Sequence, residues 1–170
     1  MRTEARNLLA IFLTAFIAAG CATAIKQVPG GPHERLGLSV PAQAQPTSGE
    51  KVVSIAAGYL GTPYLYGGDS PKKGFDCSGL VYFVHRQAGI PLSRGMMGQY
   101  TAGPRIPQNQ LEPGDIVFFS NTYMPGLSHN GIYIGGGKFI HASDETTGGV
   151  ITSLSSAYWA SRYSGATRVY

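Results

Sequence analysis

Apolar positions fall into three different rhythms along the chain. Leu8 to Ala19 is an apolar block broken only by Thr14, preceded by Arg2 and Arg6. It is shorter than the roughly 20 residues a spanning helix needs, so residues 1–20 read as an export signal rather than a transmembrane anchor. Residues 21–49 hold Pro29, Gly30, Gly31, Pro32, Pro41 and Pro46 with no apolar period, the composition of a tether. His33 lies inside it and receives no role. From Glu50 the pattern becomes that of a fold, and residues 50–170 are taken as one domain.

Within that domain Val52, Val53, Ile55, Ala56, Tyr59 and Leu60 recur at helical spacing, with Gly61 as a stop. Thr62 to Gly68 is extended and turn-rich. A second apolar segment of helical length runs from Cys77 to Ala88-Gly89, and the stretch from Pro91 to Pro107 is irregular. Leu111-Glu112-Pro113-Gly114-Asp115 is a structural turn that launches the strand Ile116–Phe119. Gly131–Ile134 and Lys138–His141 form a hairpin around Gly135-Gly136-Gly137. Val150-Ile151, a short segment near Ser156–Arg162, and Ala166–Tyr170 complete the domain. Helices first and an antiparallel sheet afterwards make the fold class α+β.

Charge narrows the partners. The chain carries 13 Lys+Arg against 9 Asp+Glu. Arg2, Arg6, Lys26 and Arg35 lie before residue 50 against Glu4 and Glu34, so the domain itself is nearly balanced. With no basic run, nucleic acid is excluded as the main partner. The 24 Gly and 10 Tyr suit a turn-rich surface that grips an extended polar ligand.

Two cysteines carry most of the chemical signal. Asp76-Cys77-Ser78-Gly79 runs straight into the second helical segment, and Asp76 or Ser78 can cap it. Cys77 then sits at the helix start, where the dipole and free N–H groups favour a thiolate and can hold an oxyanion. The alternative is a buried Cys acting as a small hydrophobe. Ala18-Ala19-Gly20-Cys21 resembles a lipobox, which makes Cys21 an acylated residue and the chain an outer-membrane lipoprotein facing the periplasm, a sorting that Ala22 allows. Ordinary secretion, with cleavage after Ala22-Thr23-Ala24, is the rival. If Cys21 is acylated, Cys77 is the only free thiol of an exported protein and has no disulfide partner.

A nucleophilic Cys needs a base and a group to orient that base. His85 lies two turns along the Cys77 helix, pointing away from the sulfur, and reads as a structural residue. His129 precedes the first strand of the hairpin, and His141 ends the return strand. A three-residue loop at Gly135–Gly137 would pair Ile134 with Lys138 and Gly131 with His141, making His129 diagonal to His141 on one face. A two-residue turn would shift the register by one and separate them unless a bulge intervened. A metal site built from the two His and Cys77 lacks further ligands, so neither metal nor cofactor is expected.

The order of motifs resembles the NlpC-type peptidases, a papain-like family that cuts bacterial cell-wall peptides. The matching pieces are Gly61–Gly68, Phe75–Val81, Leu111–Phe119, Ser128–Gly135 and Phe139–Ser143, five in the family's order. The resemblance implies a papain-like fold with N-terminal helices packed on a central antiparallel sheet. It implies Cys77 as nucleophile, His129 as general base and His141 as the polar residue orienting it. Tyr64 corresponds to the family tyrosine that helps hold the oxyanion, and Asp76 and Ser78 flank the cleft. Asn130 stands where Val is commoner. The implied substrate is a peptidoglycan stem peptide cut between D-glutamate and a diamino acid, by a monomer held to the membrane through its lipid. A wall-binding module without turnover, or an amidase or acyltransferase of the same superfamily, are the alternatives.

Overall fold

The structure is a computed structural model and describes residues 45–170. The expected export signal, the expected acylation site Cys21 and most of the expected tether lie outside the described residues. The first helix, α1 (Ser48–Ala57), starts two residues before the expected boundary at Glu50, because Thr47 and Glu50 form a reciprocal capping box. Thr47–Gly49 therefore belong to the folded domain rather than to the tether. The helix also ends earlier than expected, at Gly58 instead of Gly61. Gly61 donates its N–H to Gly149 O at 2.8 Å, and Gly149 N donates to Thr62 O at 3.0 Å, so a tertiary tie takes the chain out of the helix. That exit lays Tyr59 edge-on against Phe75 and Phe83.

A short hairpin of β1 (Asp69–Ser70) and β2 (Gly74–Phe75) leads into α2 (Cys77–Ala88), which stops at Gly89 in the left-handed region with φ of 89°. The segment expected to be irregular contains a five-residue helix, α3 (Met96–Tyr100), and a two-residue strand, β3 (Arg105–Ile106). Five further strands follow, β4 (Ile116–Ser120), β5 (Leu127–Gly135), β6 (Lys138–Ala142), β7 (Gly149–Ser153) and β8 (Tyr163–Thr167), with α4 (Ala157–Ala160) before the last. The sheet is antiparallel throughout, in the order β3-β8-β4-β5-β6-β7. The architecture is the expected α+β.

Both faces of the sheet are covered, which is why Ile116–Phe119 is an unbroken apolar run with every residue fully buried. Ile116, Phe118, Ile132 and Ile140 pack against α1 and α2 through Val52, Ala56, Leu80, Val81 and Val84. Val117, Phe119 and Phe139 face the other way, under Leu154 and Trp159. The Leu111–Asp115 turn is structural, as expected: Asp115 is fully buried and pairs with Arg168 at 2.7 Å.

The hairpin solves its register by an unexpected route. The turn has two residues, Gly136 and Gly137, both at positive φ (58° and 70°), and closes on the pair Gly135–Lys138. A bulge at Ile134 then restores the register, so Tyr133 pairs with Phe139 and Ile132 with Ile140. His129 and His141 thus share a face even though the turn is not the three-residue loop.

Candidate active site

The site is assembled where α2 begins. Asp76 is the N-cap: its Oδ1 accepts from Gly79 N at 2.7 Å and from Ser78 Oγ at 3.1 Å. Its Oδ2 accepts from Gly67 N at 2.9 Å and from Arg94 Nη2 at 2.8 Å. Arg94 also donates to Ser78 Oγ and to Gly68 O. Asp76 and Ser78 are therefore tied down by one another, by the Gly67–Gly68 loop and by Arg94, whose place inside an irregular stretch gave no sequence signal.

Cys77 is the first residue of α2 and is 3% exposed. The backbone N–H groups of Asn130, Ser78 and Cys77 face its sulfur and favour the thiolate. They are outweighed, because burial, and after it the Asp76 carboxylate, push the thiol up to about 11. This corrects the expectation of a readily ionised thiol. The helix start is present, but desolvation is the larger effect, and the resting sulfur carries its proton. The Asn130 N–H among these puts the sulfur on the side of the His129–Asn130 peptide.

His129 lies within β5 rather than before it, and is almost wholly buried. Its Nε2 meets His141 Nδ1 at 2.8 Å, and His141 Nε2 meets Thr152 Oγ1 of β7 at 2.9 Å. No hydrogen bond among the described residues engages His129 Nδ1. Trp159, the only Trp in the chain, packs on both imidazoles with centroids 5.0 and 4.9 Å away. Burial, and then His141, hold His129 well below the usual imidazole range, and burial brings His141 down to about 4. Both rings are neutral at neutral pH. Gly131 sits opposite His141, where a side chain would crowd the His141 Cβ and Ile140 O.

Tyr64 lines the same cavity as Cys77, and burial followed by the sulfur raises its hydroxyl to about 12, so it remains a donor. His85 is a core residue that donates from Nδ1 to Val81 O at 2.8 Å. It takes no part in the site.

Asn130 now has a local reason. Its Nδ2 donates to Gln99 Oε1 at 2.6 Å, and Gln99 Nε2 donates to Ser78 O at 3.0 Å and Ser93 O at 2.8 Å. Gln99, fully buried on α3, thus ties β5, which carries His129, to the first turn of α2, which carries Cys77. Sequence periodicity had no means of finding it, since five residues are too few to show a helical period. Gln99→Leu leaves several buried polar groups unpaired and is expected to lower stability by about 3 kcal/mol in urea unfolding. Asn130→Val, which also removes the partnerless Oδ1 of Asn130, is expected to change stability by no more than about 1 kcal/mol.

Against known proteins, the model of the NlpC/P60 family matches residues 61–168. The gamma-DL-glutamyl hydrolase of Bacillus subtilis (strain 168) is 46% identical over 125 residues, covering 72% of this chain and 30% of that protein. The murein DD-endopeptidase MepH of Escherichia coli (strain K12) is 41% identical over 113 residues, covering 65% and 42%. A crystal structure of an NLP/P60 protein from Staphylococcus aureus, described as similar to lipoprotein, superposes with a TM-score of 0.67. It is 38% identical and covers 77% of this chain and 44% of that one. The chain thus spans less than half the length of these relatives.

Proposed function

The chain belongs to the NlpC/P60 family, and from that premise we propose that it is a cysteine endopeptidase of bacterial peptidoglycan. The substrate is a stem peptide, cut between D-glutamate and a diamino acid. The observation that carries the reading is a buried thiol at a helix start, facing the N–H of the peptide that leads from His129 into Asn130, with His129 itself the head of a hydrogen-bonded His129–His141–Thr152 chain. The murein DD-endopeptidase's name supports cell-wall hydrolysis, while the gamma-DL-glutamyl hydrolase's name points to a different bond, so the bond is the part that experiment must decide.

The chemistry is acyl transfer to water. For His129 to act as base, its proton sits on Nε2 and is donated to His141 Nδ1, while His141 Nε2–H is donated to Thr152 Oγ1. That tautomer leaves His129 Nδ1 with a lone pair. Because the resting thiol is neutral, its proton moves to Nδ1 as the sulfur attacks the amide carbonyl. The Cys77 N–H and the Tyr64 hydroxyl hold the oxyanion. The imidazolium then protonates the leaving nitrogen, the C–N bond breaks, and a thioester remains. Water gives its proton to His129, attacks the thioester, and frees the thiol and a new carboxylate. Asp76, Ser78 and Arg94 shape the acyl side of the cleft.

The proposed organisation is a signal at residues 1–20, an acylated Cys21, a tether, and a peptidase domain starting at Thr47. This places the enzyme on the envelope membrane. Digesting purified sacculi with the full chain and sequencing new amino termini by mass spectrometry tests the function. A diamino acid with a freed α-amine is expected. Termini arising only from cross-links, or none, would overturn the bond or the activity.

A further inference from the structure

Two cavities flank the catalytic groups and meet at Tyr123, which lines both. The first, of about 310 Å³, contains Cys77, Tyr64, Asp76, Ser78 and Arg94. The second, of about 250 Å³, contains His129 and is walled by Trp159, Tyr158, Ser143 and Asp144. The second is somewhat below the roughly 300–1,000 Å³ of drug-sized pockets and suits a single residue.

We propose that the second cavity receives the residue on the leaving side of the scissile bond, and that Asp144 makes it selective for a side chain bearing a cationic amine. The inference rests on the peptidase reading above and adds a specificity residue to it. Direction follows from the chemistry. The acyl carbon bonds to the sulfur, so the acyl half of the substrate lies along the Cys77 cavity. The nitrogen that departs takes its proton from the imidazole, so the leaving half lies on the His129 side.

Charge then decides what fits. In the first cavity Asp76 and Arg94 are paired at 2.8 Å and offset one another. In the second, Asp144 is the only formally charged residue on the described walls, since His129 is neutral. The Asp144 carboxylate is held in place. Its Oδ1 accepts from Thr146 N at 2.9 Å, Thr147 N at 3.0 Å, Thr147 Oγ1 at 2.9 Å and Thr146 Oγ1 at 2.6 Å. Its Oδ2 accepts only from Ser143 Oγ, at 3.1 Å, and keeps capacity for an incoming donor. Tyr158 and Trp159 supply apolar surface for the methylene stem of an amine-bearing side chain. A glutamyl polymer would instead bring a second carboxylate against Asp144. This separates a stem-peptide substrate from a γ-glutamyl one at the leaving position.

The test compares full-chain kcat/KM on tripeptides Ala–γ-D-Glu–X with X as lysine, norleucine or glutamate. Lysine is expected to exceed norleucine by roughly fivefold, the upper range for a solvent-facing ion pair, and glutamate to fall below norleucine. The lysine preference is expected to shrink at high salt. In Asp144→Asn, which keeps an acceptor for the Thr146 and Thr147 bonds, the lysine-to-norleucine ratio is expected to fall towards one. A ratio unchanged in Asp144→Asn, even with both rates lowered, overturns the subsite, as does a wild type with no lysine preference. In both cases the hydrolase reading stands. If no tripeptide and no sacculus is cleaved, the hydrolase reading falls and the subsite with it.

Discussion

Cys77→Ala is expected to abolish stem-peptide hydrolysis, with kcat reduced by roughly 10⁴-fold or more, the range seen when a nucleophile acting as one unit with its base is removed. The physical reason is that in the proposed mechanism sulfur forms the acyl bond, and nothing else in the first cavity is a nucleophile of comparable strength. His129→Ala is expected to cost about as much, because a buried thiol raised to about 11 has almost no thiolate at neutral pH without a proton acceptor beside it. The two losses are expected not to add: the double variant should be no slower than either single one. Steady-state rates of the three variants check this. Additive losses would mean that the sulfur and the imidazole act independently and would remove the mechanism. A rate of iodoacetamide labelling that climbs steadily from pH 7 to 10 is the companion signature of a neutral resting thiol. A plateau already reached at pH 6 would show a preformed thiolate–imidazolium pair.

His141→Ala is expected to lower kcat by roughly 10²- to 10⁴-fold, less than loss of Cys77, because in the proposed mechanism His141 fixes the His129 tautomer and touches no substrate. Without the His141 Nδ1 acceptor, nothing holds the His129 proton on Nε2. The variant also vacates a ring stacked on Phe139 with centroids 4.6 Å apart, so stability falls as well. His141→Gln, which offers an amide oxygen to His129, is expected to recover part of kcat with KM little changed. Equal losses in the Gln and Ala variants would assign His141 a packing role alone.

The same pair predicts how pH acts. Both imidazoles are held below their unfolded value of about 6.5, chiefly by burial, so the unfolded chain binds more protons as pH falls. Stability is therefore fully present above pH 6.5 and declines as pH drops from there towards about 4, where His141 takes up its proton. Trp159, packed on both rings, reports that event as fluorescence quenching near pH 4 rather than near 6.5.

Much of this site is legible in residue order because its parts are local. A short polar cap before an apolar run places Cys77 at a helix start wherever the helix packs, and Asp76 caps it through bonds spanning two or three residues. The alternation through Ile132–Ile134 and Lys138–Ile140 makes a hairpin for equally local reasons. It did not settle the turn: two glycines at positive φ close it, and only the bulge at Ile134 returns His129 and His141 to one face. Arg94, Gln99 and Thr152 escaped notice because each acts across 11 or more residues of separation, through bonds that composition cannot show.

By itself, then, the order of residues determined the class of fold, the thiol at a helix start and the two imidazoles on one β-ribbon, since these follow from caps, periods and turns a few residues long. Tertiary structure alone decided the ionisation of those groups. Burial outweighs the helix dipole at Cys77 and keeps both imidazoles neutral, and desolvation depends on what the rest of the chain lays over a side chain.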